Sequence, residues 1–308
     1  MKQETKIKVV GVGGSGGNAI SRMQKTNVEG IELIAINADY QDLNKTQADL
    51  KIRIGKKITQ GLGTGMKPEI GEAAARESEK EISEALKGAD MIFITGGFGG
   101  GTCSGAAPVV AQIAKNLNIL TMAIVTKPFS FEGQTRMQIA TEGIKKLKQN
   151  VDSLICIKND KLLEILKPNA SIISAFWFCD EILREAVKGI SDLITRPGII
   201  NVNFADIKSI LKNSGTALFG IGRAQGEKRA QEAVKLALNS PLLDLNPKGA
   251  KGVLFNVSGQ DASLSEIEEI GRLITKEINP EAKVIFGAMA NGELKRGEIK
   301  LTVIATGF

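Results

Sequence analysis

The chain has 308 residues, with 40 basic and 34 acidic side chains, a formal charge of +6 and 43% hydrophobic residues; that is about two domains' worth of chain with apolar material for real cores, which excludes a disordered polymer. No apolar run approaches the roughly 18 residues needed to cross a bilayer, and residues 1–8 (MKQETKIK) lack the apolar core of a secretory signal, so no membrane insertion is expected. Histidine is absent and the three cysteines (Cys103, Cys156, Cys179) are widely spread, which excludes histidine triads and argues against a disulfide framework or zinc site and for a reducing cytosol.

The first half alternates strand and helix. Residues 6–10 and 31–37 are short runs rich in Ile and Val that predict buried strands, with helical spacing over 18–24 between them. Residues 67–88 predict one helix, opened by Pro68 and closed by Gly88. Strands are then expected over 91–95, 120–126 and 153–157, with helices over 105–117 and 133–149. Strands separated by helices imply right-handed crossovers and a parallel sheet covered on both faces. Residues 171–195 form one long helical pattern, apolar at Ile172, Ile173, Phe176, Leu183, Val187, Ile190 and Ile194, and Arg196-Pro197-Gly198 stops it. A loop over 199–206 and a short helix lead to a second series, with strands near 217–222, 253–257, 284–288 and 299–305. Its helices span about 227–239 and 264–277, the latter opened by a capping box, Ser263-x-x-Glu266. Asn291–Gly292 is a hairpin signal between the last two strands. The expected architecture is two α/β domains bridged by a long helix.

Two loops carry the chemistry. Of 34 glycines, five fall within residues 11–17 and six within 96–105. In the first loop Gly11, Gly13 and Gly16 form G-x-G-x-x-G after a strand, and Asp39, roughly 20 residues on, suits a ribose-binding acid. Alone, this loop leaves a nicotinamide dinucleotide, another nucleotide and a tight turn all open. The second loop, Gly96 to Pro108, also joins a strand to a helix. Two glycine loops opening two helices at one sheet edge can surround a polyphosphate with backbone donors and two positive helix ends. Thr102 and Ser104 add hydroxyls, and no Gly-Lys-Ser/Thr follows either loop, which excludes a P-loop. The charges are dispersed, as in Glu227-Lys228-Arg229, and aromatics make up 4% of the chain, too few for a base-stacking surface, so no nucleic-acid partner is expected.

The G-G-S-G-G-N loop, the G-G-G-T-x-x-G-A-A-P loop, and the runs Thr126 to Gly133, Ile190 to Thr195 and Asn201 to Asp206 together resemble the FtsZ family, bacterial tubulin homologues of cell division. The resemblance runs from about Lys6 to Phe308. It implies a tubulin/FtsZ-like α/β fold, a Rossmann-type parallel-sheet GTPase domain joined by a long central helix to a smaller α/β C-terminal domain. The corresponding division is residues 1–170 for GTP binding, 171–196 for the central helix, 197–215 for a catalytic loop and short helix, and 216–308 for a domain that assists polymerisation.

By the same resemblance the ligand is GTP or GDP, with Mg2+ carried on the phosphates and no protein ligand named for it. Gly14, Ser15, Gly16 and Gly17 face the phosphates, as do Gly101, Thr102, Cys103 and Ser104. Asn18 and Asp180 recognise the guanine edge, Phe176 packs on the base, and Glu132 and Arg136 approach the ribose. Read from the residues alone, a core position on the long helix is the preferred reading of Phe176. The resemblance makes Asn201, Asn203 and Asp206 the catalytic segment that enters the next subunit's site, so that GTP is hydrolysed inside a head-to-tail homopolymer. It places the protein in the cytoplasm at the mid-cell division site.

Two departures bear on activity. The family usually has Asp where this chain has Asn203, which keeps the hydrogen bonds and loses the charge; slow turnover with retained GTP binding is expected, and a nucleotide-gated filament with negligible turnover is the alternative. Cys103 and Ser104 stand where the family has Gly and Thr, and a thiol at a helix start suggests a lowered pKa. The chain ends at Phe308 without the family's linker and terminal peptide, which puts recruitment of division partners in doubt. A dinucleotide oxidoreductase, the remaining reading, leaves the second glycine loop and residues 201–206 without a role.

Overall fold

The structure, a computed structural model, describes residues 5–26, 30–164, 166, 170–196, 198–240, 247–292 and 294–308; Pro197, expected to stop the long helix, lies outside them. Two compact units divide between Lys188 and Gly189. Among the described residues no helix is long and apolar enough to cross a membrane.

In chain order the first unit runs β1 (Ile7–Val12), α1 (Gly13–Lys25), β2 (Ile31–Asn37), α2 (Tyr40–Lys45), β3 (Leu50–Arg53), α3 (Pro68–Glu77), α4 (Glu79–Leu86), β4 (Met91–Gly97), α5 (Gly101–Asn116), β5 (Leu120–Lys127), α6 (Gln134–Lys148), β6 (Ser153–Lys158) and α7 (Asn159–Leu163). The helix α8 (Ile172–Thr195) follows and carries the chain into the second unit. The strands pair in the order β3-β2-β1-β4-β5-β6, all parallel. Central strands such as β4 are buried almost throughout, which is why they read as unbroken apolar runs rather than alternating ones. The helix expected over 67–88 is two helices, broken at Ser78. Asp39 is the N-cap of α2, its Oδ1 accepting from the Asp42 amide at 3.0 Å, so it closes a helix start rather than serving as a ribose-binding acid.

Two glycines set how tightly the layers approach. A Cβ at Gly16 would lie 2.7 Å from the Gly11 carbonyl carbon and 2.8 Å from the Thr95 oxygen, so α1 sits directly on β1 and β4. A Cβ at Gly105 would lie 2.6 Å from the Glu72 amide nitrogen, so α5 and α3 meet backbone to backbone.

The second unit contains α9 (Phe204–Leu211), β7 (Gly215–Gln225), α10 (Arg229–Leu238), β8 (Gly252–Gly259), α11 (Leu264–Lys276), β9 (Lys283–Ala290) and β10 (Glu298–Thr306). The Ser263–Glu266 capping box opens α11 as expected. The expected hairpin does not form. β10 lies between β7 and β8, antiparallel to both, and β9 pairs with β8 in parallel. Burial overrides the local Asn291–Gly292 signal: β10 is buried at every residue after Glu298 and takes a partner on each side, whereas β9 is exposed at Lys283, Phe286 and Ala290.

Gly105→Ala is expected to destabilise the first unit by about 1–3 kcal/mol, because backbone atoms rather than a flexible side-chain tip must move aside. Denaturant unfolding of the nucleotide-free protein checks this; a change below roughly 0.5 kcal/mol, the usual surface value, would mean that α3 shifts freely.

Candidate functional site

With strand order β3-β2-β1-β4-β5-β6, the connections from β1 and β4 leave in opposite directions and open a crevice beyond their carboxyl ends. Both glycine loops lie there. β1 passes straight into α1 at Gly13, and β4 reaches α5 through Phe98, Gly99 and Gly100. The helices therefore start inside the loops, not at residues 18 and 105 as the sequence suggests; glycine's low helix propensity hides these first turns. Neither N-cap, Val12 or Gly100, makes a side-chain cap, and neither first turn holds an acidic residue. The first amides of a helix have no acceptor within it, so two positive helix ends face one crevice.

A cavity of about 440 Å³ occupies this place, within the roughly 300–1,000 Å³ of small-ligand clefts. It brings together ten of the expected residues: Gly14, Ser15 and Asn18 on α1, Gly101, Thr102 and Cys103 on α5, Glu132 and Arg136 beside them, and Phe176 and Asp180 on α8. Gly16, Gly17 and Ser104 stand behind the wall. Gly16 packs on Gly11 and Thr95, and Gly17 lies against Thr46. The Ser104 hydroxyl accepts from the Gly99 amide at 3.0 Å and so holds the second loop in shape.

The two ends of the cavity differ in chemistry. The glycine end offers backbone N–H groups. At the other end Phe176 is 41% exposed, too open for a core residue, with its ring edge-on to Phe129 at 5.4 Å between centroids. Asp180 is 6% exposed. The Ser15 hydroxyl donates to its Oδ1 at 3.5 Å and Arg22 Nη2 lies 3.6 Å from its Oδ2. Burial pushes the Asp180 carboxyl up to about 6, and the charge of Arg22 pulls the other way. Glu132 pairs with Arg136 at 2.9 Å and accepts from the Phe129 amide at 2.9 Å, which ties the wall to the ring cluster.

Two contributors were not read from the sequence. Asn159, at the start of α7, is 4% exposed, lines the cavity, and its Oδ1 has no hydrogen-bond partner. Its signal was position alone, an amide just past the carboxyl end of β6. Thr64 places its hydroxyl 3.3 Å from that of Thr102; the clustered Gly61, Gly63 and Gly65 around it, all at positive φ, were the available sign of a third loop at this edge.

Residues 6–167 match the Tubulin/FtsZ family GTPase domain, and residues 215–308 match the FtsZ family C-terminal domain. The chain belongs to the FtsZ family. It is 52% identical over 304 residues to the cell division protein FtsZ 1 of Thermococcus kodakarensis, covering 99% of this chain and 81% of that protein. It is 50% identical over 308 residues to the cell division protein FtsZ of Pseudomonas aeruginosa, covering 99% and 78%. A solved empty FtsZ dimer from M. jannaschii superposes with a TM-score of 0.96 at 48% identity, covering 100% of this chain and 89% of that one. The mostly parallel sheet of the first unit, flanked by helices and followed by a second α/β unit, is the tubulin/FtsZ fold.

Two positions expected to depart from the family pattern have local roles in this structure. Cys103 is 4% exposed, and burial pushes its thiol well above the ordinary range. The lowered pKa expected of a thiol at a helix start is therefore not borne out: burial disfavours the thiolate and raises the pKa. In the second unit Asn203 is the N-cap of α9, its Oδ1 accepting from the Asp206 amide at 2.8 Å. Asp206 thus stands in the first helical turn rather than in a loop, and Asn201 Oδ1 accepts from the Gly198 amide at 2.7 Å.

Maleimide is expected to modify the half-buried Cys156 well before Cys103, as mass spectrometry of a labelling time course would report; equal rates would mean that the α5 start opens readily. Asn203→Ala should cost the second unit about 1 kcal/mol, while Asn203→Asp, an equivalent cap, should stay within a few tenths. Paired denaturant titrations decide between those values.

Proposed function

We propose that the cavity of the first unit binds GTP, with the triphosphate on the two glycine-built helix starts and guanine between Asn18, Phe176 and Asp180. The observation that carries this reading is the convergence of two uncapped helix N-termini and a buried carboxylate on one cavity. An ionised Asp180 accepts from guanine N1–H and N2–H, while the Asn18 amide donates to O6. Adenine presents a lone pair at N1, which the carboxylate repels, so ATP is refused. Gly14, Ser15, Gly101, Thr102 and Cys103 face the phosphates, with Gly16, Gly17 and Ser104 supporting their backbone. Glu132 and Arg136 take the ribose.

The chain is a GTP-binding, polymerising GTPase of cell division, as its family membership and its length-wide similarity to FtsZ proteins support. Within it we assign residues 1–170 to GTP binding, 171–196 to the central helix, 197–215 to the catalytic segment and 216–308 to assistance of polymerisation. Self-association is head to tail, and Asn201, Asn203 and Asp206 of one copy complete the site of the next. There the Asp206 carboxylate orients a water that attacks the γ-phosphorus, giving GDP and inorganic phosphate. Mg2+ would be carried by the phosphates, with waters completing its shell. The chemistry such an ion would supply is neutralisation of phosphate charge. The working place we assign is the cytoplasm at mid-cell, with division proteins as further partners.

Light scattering with simultaneous phosphate detection, after adding GTP and Mg2+, tests the reading. Scattering and release are expected to appear together above a threshold protein concentration, with no response to ATP or NAD. Scattering without release would favour the second reading, a filament with little turnover, for which the uncharged Asn203 is the specific reason. Asn203→Asp is expected to raise release per assembled subunit, since a positioned acid–base group is worth on the order of 10²–10⁴ in rate. An unchanged rate would remove this position from water activation.

A further inference from the structure

Arg22 is not part of the cavity wall, yet its surroundings aim it at the base end. It lies one turn after Asn18 on α1, and its guanidinium carbon is 5.1 Å from the centroid of the Trp177 ring. Its Nη2 is 3.6 Å from Asp180 Oδ2. Trp177 and Asp180 are three residues apart on α8 and so share one face of that helix. The guanidinium is therefore held between a ring and a carboxylate, and its buried Nε has no hydrogen-bond partner.

We propose that Arg22 is a positioning residue for guanine selection: clamped by Trp177, it fixes the Asp180 carboxylate in place for the base. This rests on the assignment of Asp180 to guanine. The groups acting on Asp180 are Arg22 and Ser15 from α1; Cys179 is its neighbour on α8, and Glu132 and Arg136 line the same cavity. Glu132 and Arg136 are paired to each other at 2.9 Å, and among the described residues Arg22 is the cation at ion-pair distance from Asp180. A lysine ammonium is a point charge on a flexible stem, whereas the planar guanidinium stacks on an indole and presents two nitrogens edge-on to a carboxylate.

The proposal has a pH signature. Burial raises the Asp180 carboxyl to about 6, and the charge of Arg22 is the strongest influence lowering it. A protonated Asp180 no longer accepts from both guanine N–H groups, so GTP affinity follows the ionised fraction and falls about tenfold per pH unit below that midpoint. Removing an opposite charge at this range raises a carboxyl by about 1–3 units. The loss then appears at neutral pH and is recovered in alkali, which the loss of a mere tie between α1 and α8 would not produce.

The test is calorimetric titration of GTP into the full chain between pH 5.5 and 8.5, without turnover as a readout. Emission of Trp177, the single tryptophan of the chain, serves as a second, spectroscopic signal. The unaltered protein should show flat affinity above about pH 7 and a midpoint near 6. Arg22→Gln should move that midpoint up by about one unit or more, giving roughly tenfold weaker binding at pH 7 that is regained by pH 8.5. Arg22→Lys, which restores the charge without the stack, should return the midpoint most of the way. A uniform loss at every pH in Arg22→Gln, or no loss, overturns the proposal. Asp180→Asn separates the two levels of the argument. If it leaves GTP affinity intact, the guanine assignment itself falls. If it weakens GTP tenfold or more while Arg22→Gln leaves the midpoint unmoved, the role of Arg22 alone falls.

Discussion

Two helix starts without caps, brought side by side where the parallel sheet changes direction, are the constraint on which the first unit is built. Each leaves backbone amides unsatisfied, and each carries a partial positive charge of about half a unit. A helix end near the surface is worth only about 0.3–1 kcal/mol to an anion, whereas each hydrogen bond to a charged oxygen is worth about 1.5–3. The direct amide contacts therefore dominate, and the dipoles add to them. Such contacts demand that backbone reach the ligand and that neighbouring layers allow it. Gly16 against β1 and β4, and Gly105 against α3, permit that approach. A phosphate end made this way needs no lysine, which is consistent with the absence of a P-loop signature after either glycine run.

The same economy has a cost. Uncapped helix starts destabilise the free protein until an anion arrives, so ligand binding and folding of the first unit are linked. At a ligand concentration 100 times the dissociation constant, that linkage contributes about 2.7 kcal/mol. The base end is built on the opposite principle. There the group is a buried carboxylate beside a hydroxyl and a guanidinium, and on the assignment we propose its charge state, rather than backbone geometry, carries discrimination. On that assignment, phosphate affinity and base choice answer to separate physical variables within one cavity.

The features legible in sequence were those that repeat or concentrate. Buried strands read as apolar runs because a parallel sheet covers both faces, and the two glycine loops stood out because glycine clusters there. The helix starts at Gly13 and Gly101 did not, since propensity argues against glycine in a helix and only tertiary packing reverses it. The Asn291–Gly292 signal misled because a two-residue cue cannot weigh the burial of a nine-residue strand such as β10. Cys103 misled for a related reason: the helix end was visible in sequence, and the burial that raises its thiol was not. Asn159 and the Arg22–Trp177–Asp180 group carry no local pattern at all. Their meaning lies in which helices meet, and a single sequence does not state that.

Asn203 shows how one position can answer to two demands. As an N-cap it is asked for a side-chain oxygen that accepts from the Asp206 amide, and Asn and Asp serve that demand almost equally. As a catalytic group it would be asked for negative charge, which Asn lacks. Replacing Asp by Asn therefore removes charge while leaving the helix start, and the placement of Asp206 one turn later, intact. A substitution that truncated the side chain would lose both. Local stability at this segment thus says nothing about its chemistry, because the oxygen that holds the backbone in place is indifferent to the charge that water activation would require.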